Sequence, residues 1–121
     1  LKVKIIWNLD WLKDLEKYVS NYKEIVLDTE TTSLDVYKAE LVWISIYLDD
    51  ENIYYINLAH NWEKINISDI KIFLENLLKK EDLTIIWHNL KYDLEIIELF
   101  LKNVKTQNDK EGDFSQISLG I

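Results

Sequence analysis

Residues 25–35 have the sequence Ile-Val-Leu-Asp-Thr-Glu-Thr-Thr-Ser-Leu-Asp, and this segment is the most informative feature of the chain. Its apolar, β-branched beginning predicts a buried strand. Asp28 and Glu30 are separated by one residue, so on a strand both side chains leave the backbone on the same face. Two carboxylates at the end of a core strand repel each other, and a divalent cation such as Mg²⁺ or Mn²⁺ removes that cost. The alternative is two ordinary polar residues where a strand enters a turn.

A second acidic motif lies in residues 84–97, Thr-Ile-Ile-Trp-His-Asn-Leu-Lys-Tyr-Asp-Leu-Glu-Ile-Ile. The pattern predicts a short buried strand, a turn capped by Asn89, and a helix that has Asp93 near its first turn. An acid there interacts favourably with the helix dipole by about 0.3–1 kcal/mol, which would be a purely structural role. Beside the first motif, we expect Asp93 to be the third carboxylate of a metal site. The predicted apolar stripe of this helix is Leu90, Leu94, Ile97 and Leu101.

The rest of the chain predicts a mixed sheet flanked by helices. Strands are predicted at residues 2–7, 24–28, 41–48, 52–57 and 84–87, with a hairpin turn at 49–52. Helices are predicted at 10–20, at 68–80 with Ser68 as the cap, and at 90–102. Inward positions in the second helix are Ile70, Phe73, Leu74, Leu77 and Leu78. Core packing, rather than base stacking, is predicted for Trp7, Trp11, Trp43 and Trp87, whereas Trp62 falls in a loop.

Composition limits the classes of function. The 121 residues suffice for one domain, and 48% hydrophobic with 30% charged residues is typical of a globular fold. A net charge of −8 argues against a free-standing nucleic-acid binder, but not against a metal-dependent nuclease, where bound Mg²⁺ offsets part of the charge. No run approaches the roughly 18 apolar residues of a membrane span, so we expect no membrane partner.

Together, the two motifs resemble the first two exonuclease motifs of the 3′–5′ proofreading domain of family A, bacterial DNA polymerase I-type, DNA polymerases. These belong to the DnaQ-like, RNase H-related exonucleases. Residues 55–60, Tyr-Ile-Asn-Leu-Ala-His, resemble the strand and Ala-His turn between the motifs, and the resemblance covers about residues 3–101. It implies an RNase H-like α/β fold, a mixed β-sheet flanked by helices, truncated before its last helices. We expect an exonuclease-like domain in residues 1–102 and a polar loop and tail in 103–121.

The resemblance also implies a mechanism and partners. Two Mg²⁺ or Mn²⁺ ions would support hydrolysis of the 3′-terminal phosphodiester, with Asp28 bridging both, Glu30 on the nucleophile side and Asp93 on the leaving-group side. Leu34 would wedge against the terminal bases, and Asn89 and Tyr92 would contact substrate. Their structural alternatives are a turn hydrophobe, a helix cap and a packed aromatic. The implied partners are a single-stranded DNA 3′ end and a polymerase domain of the same parent chain, in the cytoplasm or an organelle. His60 in the Ala-His turn is expected to be structural.

The chain departs from the family in one respect. The family's third motif, Tyr-x-x-x-Asp, has no match, because no tyrosine here is followed four residues later by aspartate. We therefore expect the 121 residues alone to be a poor nuclease. Residues 114–119 weakly resemble a segment shortly before that motif, which would imply residues missing within the tail; alternatively, Phe114 or Ile117 packs on the core. Two other functions stay open: a non-catalytic module that buttresses a polymerase or guides single strands, and an RNA-processing 3′–5′ exonuclease.

Overall fold

The chain forms five strands and three helices within residues 1–58 and 65–104, which are the residues that this computed structural model describes. The predicted elements are confirmed, with ends that differ by up to three residues. In chain order they are β1 (Lys2–Ile6), α1 (Leu9–Val19), β2 (Glu24–Thr31), β3 (Leu41–Tyr47), β4 (Asn52–Asn57), α2 (Ile67–Leu78), β5 (Thr84–Trp87) and α3 (Leu90–Asn103).

The five strands form one mixed sheet in the order β1-β4-β3-β2-β5. The three central strands are joined as antiparallel hairpins, β2 with β3 and β3 with β4. Both edge strands are parallel to their neighbours, β1 to β4 and β5 to β2. The predicted mixed sheet is therefore confirmed, and β2, which carries the first acidic motif, lies inside it with partners on both sides.

One face of the sheet is covered by the helices. Ile25, Leu27 and Thr29 of β2 point to this face. Ile25 and Leu27 are fully buried, and Thr29 is nearly so. They meet Ile97 and the other inward residues of the three helices in a single hydrophobic core. Beyond residue 28, where the sequence predicts its end, β2 continues to Thr31 because β3 pairs with it throughout, with a register shift between Glu30 and Thr31.

The opposite face, which we call the open face, is not covered by any described helix. It comprises the side chains that alternate with the core positions of the strands, and at its ends Val3 is 54% exposed and Ile86 is 42% exposed. Trp43 and Tyr55 pack edge-to-face here, with ring centroids 6.0 Å apart. The open face includes Val3, Val26, Asp28, Glu30, Trp43, Ser45, Tyr47, Tyr55 and Ile86.

The tryptophans divide between the two faces. Trp11 and Trp87 pack against the core, as predicted. The prediction was wrong for Trp7, which is exposed, and for Trp43, which lies on the open face. Strand membership alone could not predict burial of Trp43, because a strand side chain packs in the core only when its face is covered. Trp7 lies just after the last residue of β1.

Asparagine residues begin the first two helices. The Asn8 side chain accepts a hydrogen bond from the Trp11 N–H at 2.9 Å at the start of α1. At α2 the cap is Asn66, not the predicted Ser68, and the Asp69 carboxylate accepts the Asn66 N–H at 3.4 Å. All five predicted inward residues of α2 are buried. Within the ranges that the structure describes, no helix has the length and apolar character needed to cross a membrane.

Asp49 organises the turn between β3 and β4. Its carboxylate accepts hydrogen bonds from the Tyr22 hydroxyl at 2.7 Å, the Glu51 N–H at 2.8 Å, and both the N–H and the side-chain amide of Asn52 at 2.9 Å. Together these hydrogen bonds lower the pKa of Asp49 from 3.8 to about 2, and the bond from Tyr22 has the largest effect on that pKa. The charged form is therefore favoured in the folded state.

We expect this turn to stabilise the fold at neutral pH and to lose that effect in acid. Because the folded pKa of Asp49 lies below its ordinary value of 3.8, the contribution is present above pH 3.8 and disappears as the pH falls through about 2. Asp49→Ala should lower the thermal unfolding midpoint at pH 7, and its difference from the wild type should shrink between pH 4 and pH 2. The matched control is Asp50→Ala in the same turn. A carboxyl NMR titration of Asp49 with a midpoint near 3.8 would contradict this account.

Candidate active site

Asp28 and Glu30 lie together on the open face, in the second half of β2. Asp28 is opposite Ser45 on β3, and Glu30 is opposite Trp43. Asp28 is half-buried and Glu30 is exposed. The predicted shared face is thus confirmed, and the residue opposite Asp28 is the small, buried Ser45.

The surroundings of Asp28 and Glu30 carry negative charge. Burial is the main cause that raises the pKa of Tyr47 above its ordinary value of 10.0, and the nearby Tyr55, which shares a hydrogen bond with it, raises that pKa further. The negative charges of Asp28 and Glu30 also raise the pKa of Tyr47. Tyr47 and Asp28 also line one shallow depression on the open face, together with His88. A phenol hydroxyl and two carboxylates close together favour a bound cation over an anion.

Asp93 approaches β2 from the covered side. It lies in the first turn of α3 and is only 1% exposed. One carboxylate oxygen accepts a hydrogen bond from the Thr29 hydroxyl, and the other accepts the Asn89 N–H at 2.9 Å. Thr29 stands between Asp28 and Glu30 in sequence, but its side chain points to the opposite face of the sheet. Asp93 is therefore next to Thr29 in the middle of the first motif.

The three carboxylates do not form the single cluster that the sequence predicted. Among the described residues, no group of three or more aspartate, glutamate, histidine or cysteine side chains is close enough to hold one metal ion. The two oxygens of Asp93 instead accept hydrogen bonds from the Thr29 hydroxyl and the Asn89 N–H on the covered side of the sheet. Asp28 and Glu30 are hard oxygen ligands on an accessible face, so the residues present fit a divalent cation through this pair. A ligand role for Asp93 stays a prediction.

The helix that carries Asp93 is rotated relative to the predicted stripe. Ile97 and Leu101 are buried as expected, together with Ile96 and Asp93. The prediction was wrong for Leu90, which is exposed, and Leu94 is only half-buried. The hydrogen bond from Thr29 requires the carboxylate to face the sheet, and this turns the leucines away.

Asn89 and Tyr92, predicted to contact substrate, have structural partners. Asn89 occupies the N-cap position of α3 as predicted, but its side chain makes no cap hydrogen bond, and its N–H instead donates to Asp93. The Tyr92 hydroxyl donates to the Ser33 carbonyl at 2.6 Å and contacts the Thr31 hydroxyl. Tyr92 therefore joins the start of α3 to the chain that leaves β2. Contact with substrate remains a prediction for both residues.

Residues 32–40, which we call the 32–40 loop, connect β2 to β3 beside Glu30. Leu34 and Tyr37 each expose 93% of their surface on this loop. The sequence analysis singled out Leu34 but missed Tyr37. The available signal was a large aromatic residue in a short polar connection directly after the acidic motif.

Several predictions concern residues outside the described ranges. These are the structural role of His60, the loop position of Trp62, and both alternatives for Phe114 and Ile117. The boundary between the exonuclease-like domain at 1–102 and the tail at 103–121 also stays a prediction, although α3 ends at Asn103.

This chain is similar to known exonucleases both in its fold and in its sequence. RNase D of Escherichia coli, an exoribonuclease involved in structured RNA processing, superposes with a TM-score of 0.61 at 23% identity, over 79% of this chain and 24% of its own. The fold is thus the RNase H-like α/β fold of the DnaQ-like exonucleases. The chain belongs to the 3′–5′ exonuclease family of DNA polymerase I type, whose sequence model matches residues 3–109.

Two curated relatives are bacterial DNA polymerases I. That of Borreliella burgdorferi is 38% identical over 88 residues, and that of Pseudomonas aeruginosa is 30% identical over 91 residues. Each match covers 72% of this chain and 10% of the relative. The chain therefore corresponds to about a tenth of the length of these polymerases.

Proposed function

We propose that this chain supplies metal-dependent 3′–5′ exonuclease activity, as the proofreading domain of a family A DNA polymerase. The observation that carries the proposal is the pair Asp28 and Glu30 on the open face of β2, in a chain whose residues 3–109 match the 3′–5′ exonuclease family. The reaction is hydrolysis of the last phosphodiester of a DNA strand, which releases a nucleoside monophosphate.

In this proposal Asp28 and Glu30 hold Mg²⁺ or Mn²⁺, with Asp93 as a further ligand. Two bound ions would supply an activated water and stabilise the leaving 3′ oxygen. The remaining tasks belong to the polypeptide. Thr29 holds the Asp93 carboxylate against β2, and Tyr92 fixes the 32–40 loop at the edge of the site. Leu34, which is 93% exposed on that loop, would separate the terminal bases.

The substrate and the partner domain follow from charge and from the relatives. A chain with net charge −8 needs a second source of affinity for the phosphate backbone, and a polymerase domain on the same polypeptide would supply it. Both curated relatives are DNA polymerases, which favours a single-stranded DNA 3′ end. The second candidate is an RNA-processing exonuclease, favoured by the fold shared with RNase D. A purely structural module is less well supported, because it has no physical need for paired acids on an open face.

The natural full-length protein tests this proposal. We expect it to shorten a 5′-labelled single-stranded DNA from its 3′ end, one nucleotide at a time, in Mg²⁺ or Mn²⁺. EDTA should abolish the reaction, because Asp28 and Glu30 alone cannot activate water. The matched substrate is RNA of the same sequence. Faster shortening of the RNA would favour the second candidate, and absence of 3′ shortening on both would refute the nuclease proposal.

A further inference from the structure

Two large apolar side chains project from the 32–40 loop into solvent. Leu34 and Tyr37 are both 93% exposed, far more than any other large hydrophobic residue of the described ranges except Leu1 at the chain end. An exposed pair of this kind, so close in sequence, is typical of a binding element. Leu34 is already part of the proposed function, whereas Tyr37 has no role in it.

The backbone that presents Tyr37 is held by hydrogen bonds. The base of the loop is closed by the Thr32 N–H to the Glu40 carbonyl at 3.1 Å and by the Glu40 N–H to the Thr32 hydroxyl at 3.0 Å. At the tip, the Asp35 carboxylate accepts the Tyr37 N–H at 3.0 Å, and its carbonyl accepts the Lys38 N–H at 3.0 Å. The backbone that carries Tyr37 thus has a defined conformation before any ligand binds, which lowers the entropic cost of binding.

The loop is also fixed relative to the paired acids. Tyr92 of α3 donates to the Ser33 carbonyl at 2.6 Å, and the Thr31 hydroxyl donates to the same oxygen at 2.8 Å. Glu30 directly precedes this anchor in the chain. A strand whose 3′ end reaches Asp28 and Glu30 is therefore within reach of the 32–40 loop.

We propose that Tyr37 is a base-stacking residue, and that its ring receives a nucleobase of the single strand whose end is cut. This inference rests on the proposed function and adds a substrate-binding residue to it. A planar ring stacks on any base, and the exposed Lys38 beside it can contact the phosphate. Two side chains cannot provide the roughly 800 Å² per partner that a stable protein interface buries, which argues against a protein ligand.

The test is binding of a 5′-fluorescein-labelled 12-residue oligothymidylate to the natural full-length protein, measured by anisotropy in EDTA so that nothing is cut. We expect Tyr37→Phe to bind like the wild type, because the ring remains. Tyr37→Leu should bind about tenfold more weakly, about 1.4 kcal/mol, at the lower end of the range for stacking on one base. The matched control is Tyr18→Leu on α1, an exposed tyrosine outside the site, which should have no effect.

An abasic strand of the same length separates stacking from other contacts. On this strand the wild type and Tyr37→Leu should bind equally, since no base is present. A wild type that binds the oligothymidylate no better than Tyr37→Leu overturns the inference and leaves the exonuclease proposal intact. A wild type that neither binds nor shortens single strands overturns both.

Discussion

Replacing Asp28 with asparagine is expected to reduce exonuclease activity of the natural full-length protein by about 10²-fold or more, without loss of stability. The substitution keeps the shape of the side chain and removes one of the two charges that would hold a cation on the open face. Displacement of reacting groups by about 1 Å can cost that much in rate. Removal of a charge beside Glu30 also relieves repulsion between the two carboxylates, so the thermal unfolding midpoint should stay the same or rise.

The control for Asp28→Asn is Glu24→Gln. Glu24 lies on the same strand and the same face as Asp28, at the opposite end of β2. It should leave the rate of 3′ shortening unchanged. The rates of the wild type, Asp28→Asn and Glu24→Gln are compared at saturating single-stranded DNA. Thermal unfolding of the three proteins is followed by circular dichroism. Equal rates for Asp28→Asn and the wild type would show that the acids of β2 do not form the active site.

Asp93→Ala should reduce both activity and stability, in contrast to Asp28→Asn. The Asp93 carboxylate is 1% exposed and accepts hydrogen bonds from Thr29 and Asn89. Its loss leaves a buried hydroxyl and a helix N-terminal N–H without their acceptor, at a cost of about 1–3 kcal/mol in the free energy of unfolding. The start of α3, with Tyr92 and the loop it anchors, then loses its fixed position beside β2.

Asp93→Asn distinguishes the two roles of this residue. The amide keeps one acceptor oxygen, so most of the stability should return, while the negative charge needed for a metal ligand does not. Urea unfolding of Asp93→Ala, Asp93→Asn and Glu95→Ala, a nearby acid of the same helix, gives the free energies to compare. Full activity in Asp93→Asn would contradict a ligand role and leave Asp93 as a structural cap of α3.

The local pattern of the sequence predicted the elements well. Apolar, β-branched runs identified the strands, and the acids of β2 were assigned correctly to one face because that follows from the geometry of a strand alone. The errors concern long-range partners. Thr29 and Asp93 are 64 positions apart, and periodicity contains no information about the bond that rotates α3. The prediction of Ser68 as the cap of α2 was wrong because asparagine caps helices as well as serine does, and Asn66 occupies the cap position.

The candidate site was predicted in part for the same reason. Residue types and spacing indicated Asp28, Glu30 and Asp93, since carboxylates near strand ends are distinctive. Which side of the sheet each reaches depends on the packing of α3, which only the structure provides. Tyr37 was missed because its exposure results from the hydrogen bonds that shape the 32–40 loop.

The parallel pairing of the two edge strands sets an order for folding during synthesis. Among the described strands β1 comes first in the chain and pairs only with β4, and Lys2 pairs with Asn52, 50 positions later. At about 5–20 residues per second, β1 would wait about 2.5–10 s for that partner to be translated. The hairpins of β2, β3 and β4 connect neighbours in sequence and can form earlier, since closing a short loop costs less entropy. β1, which is translated before the other described strands, is then one of the last of them to join the sheet, and until then its backbone hydrogen-bonding groups lack their strand partner.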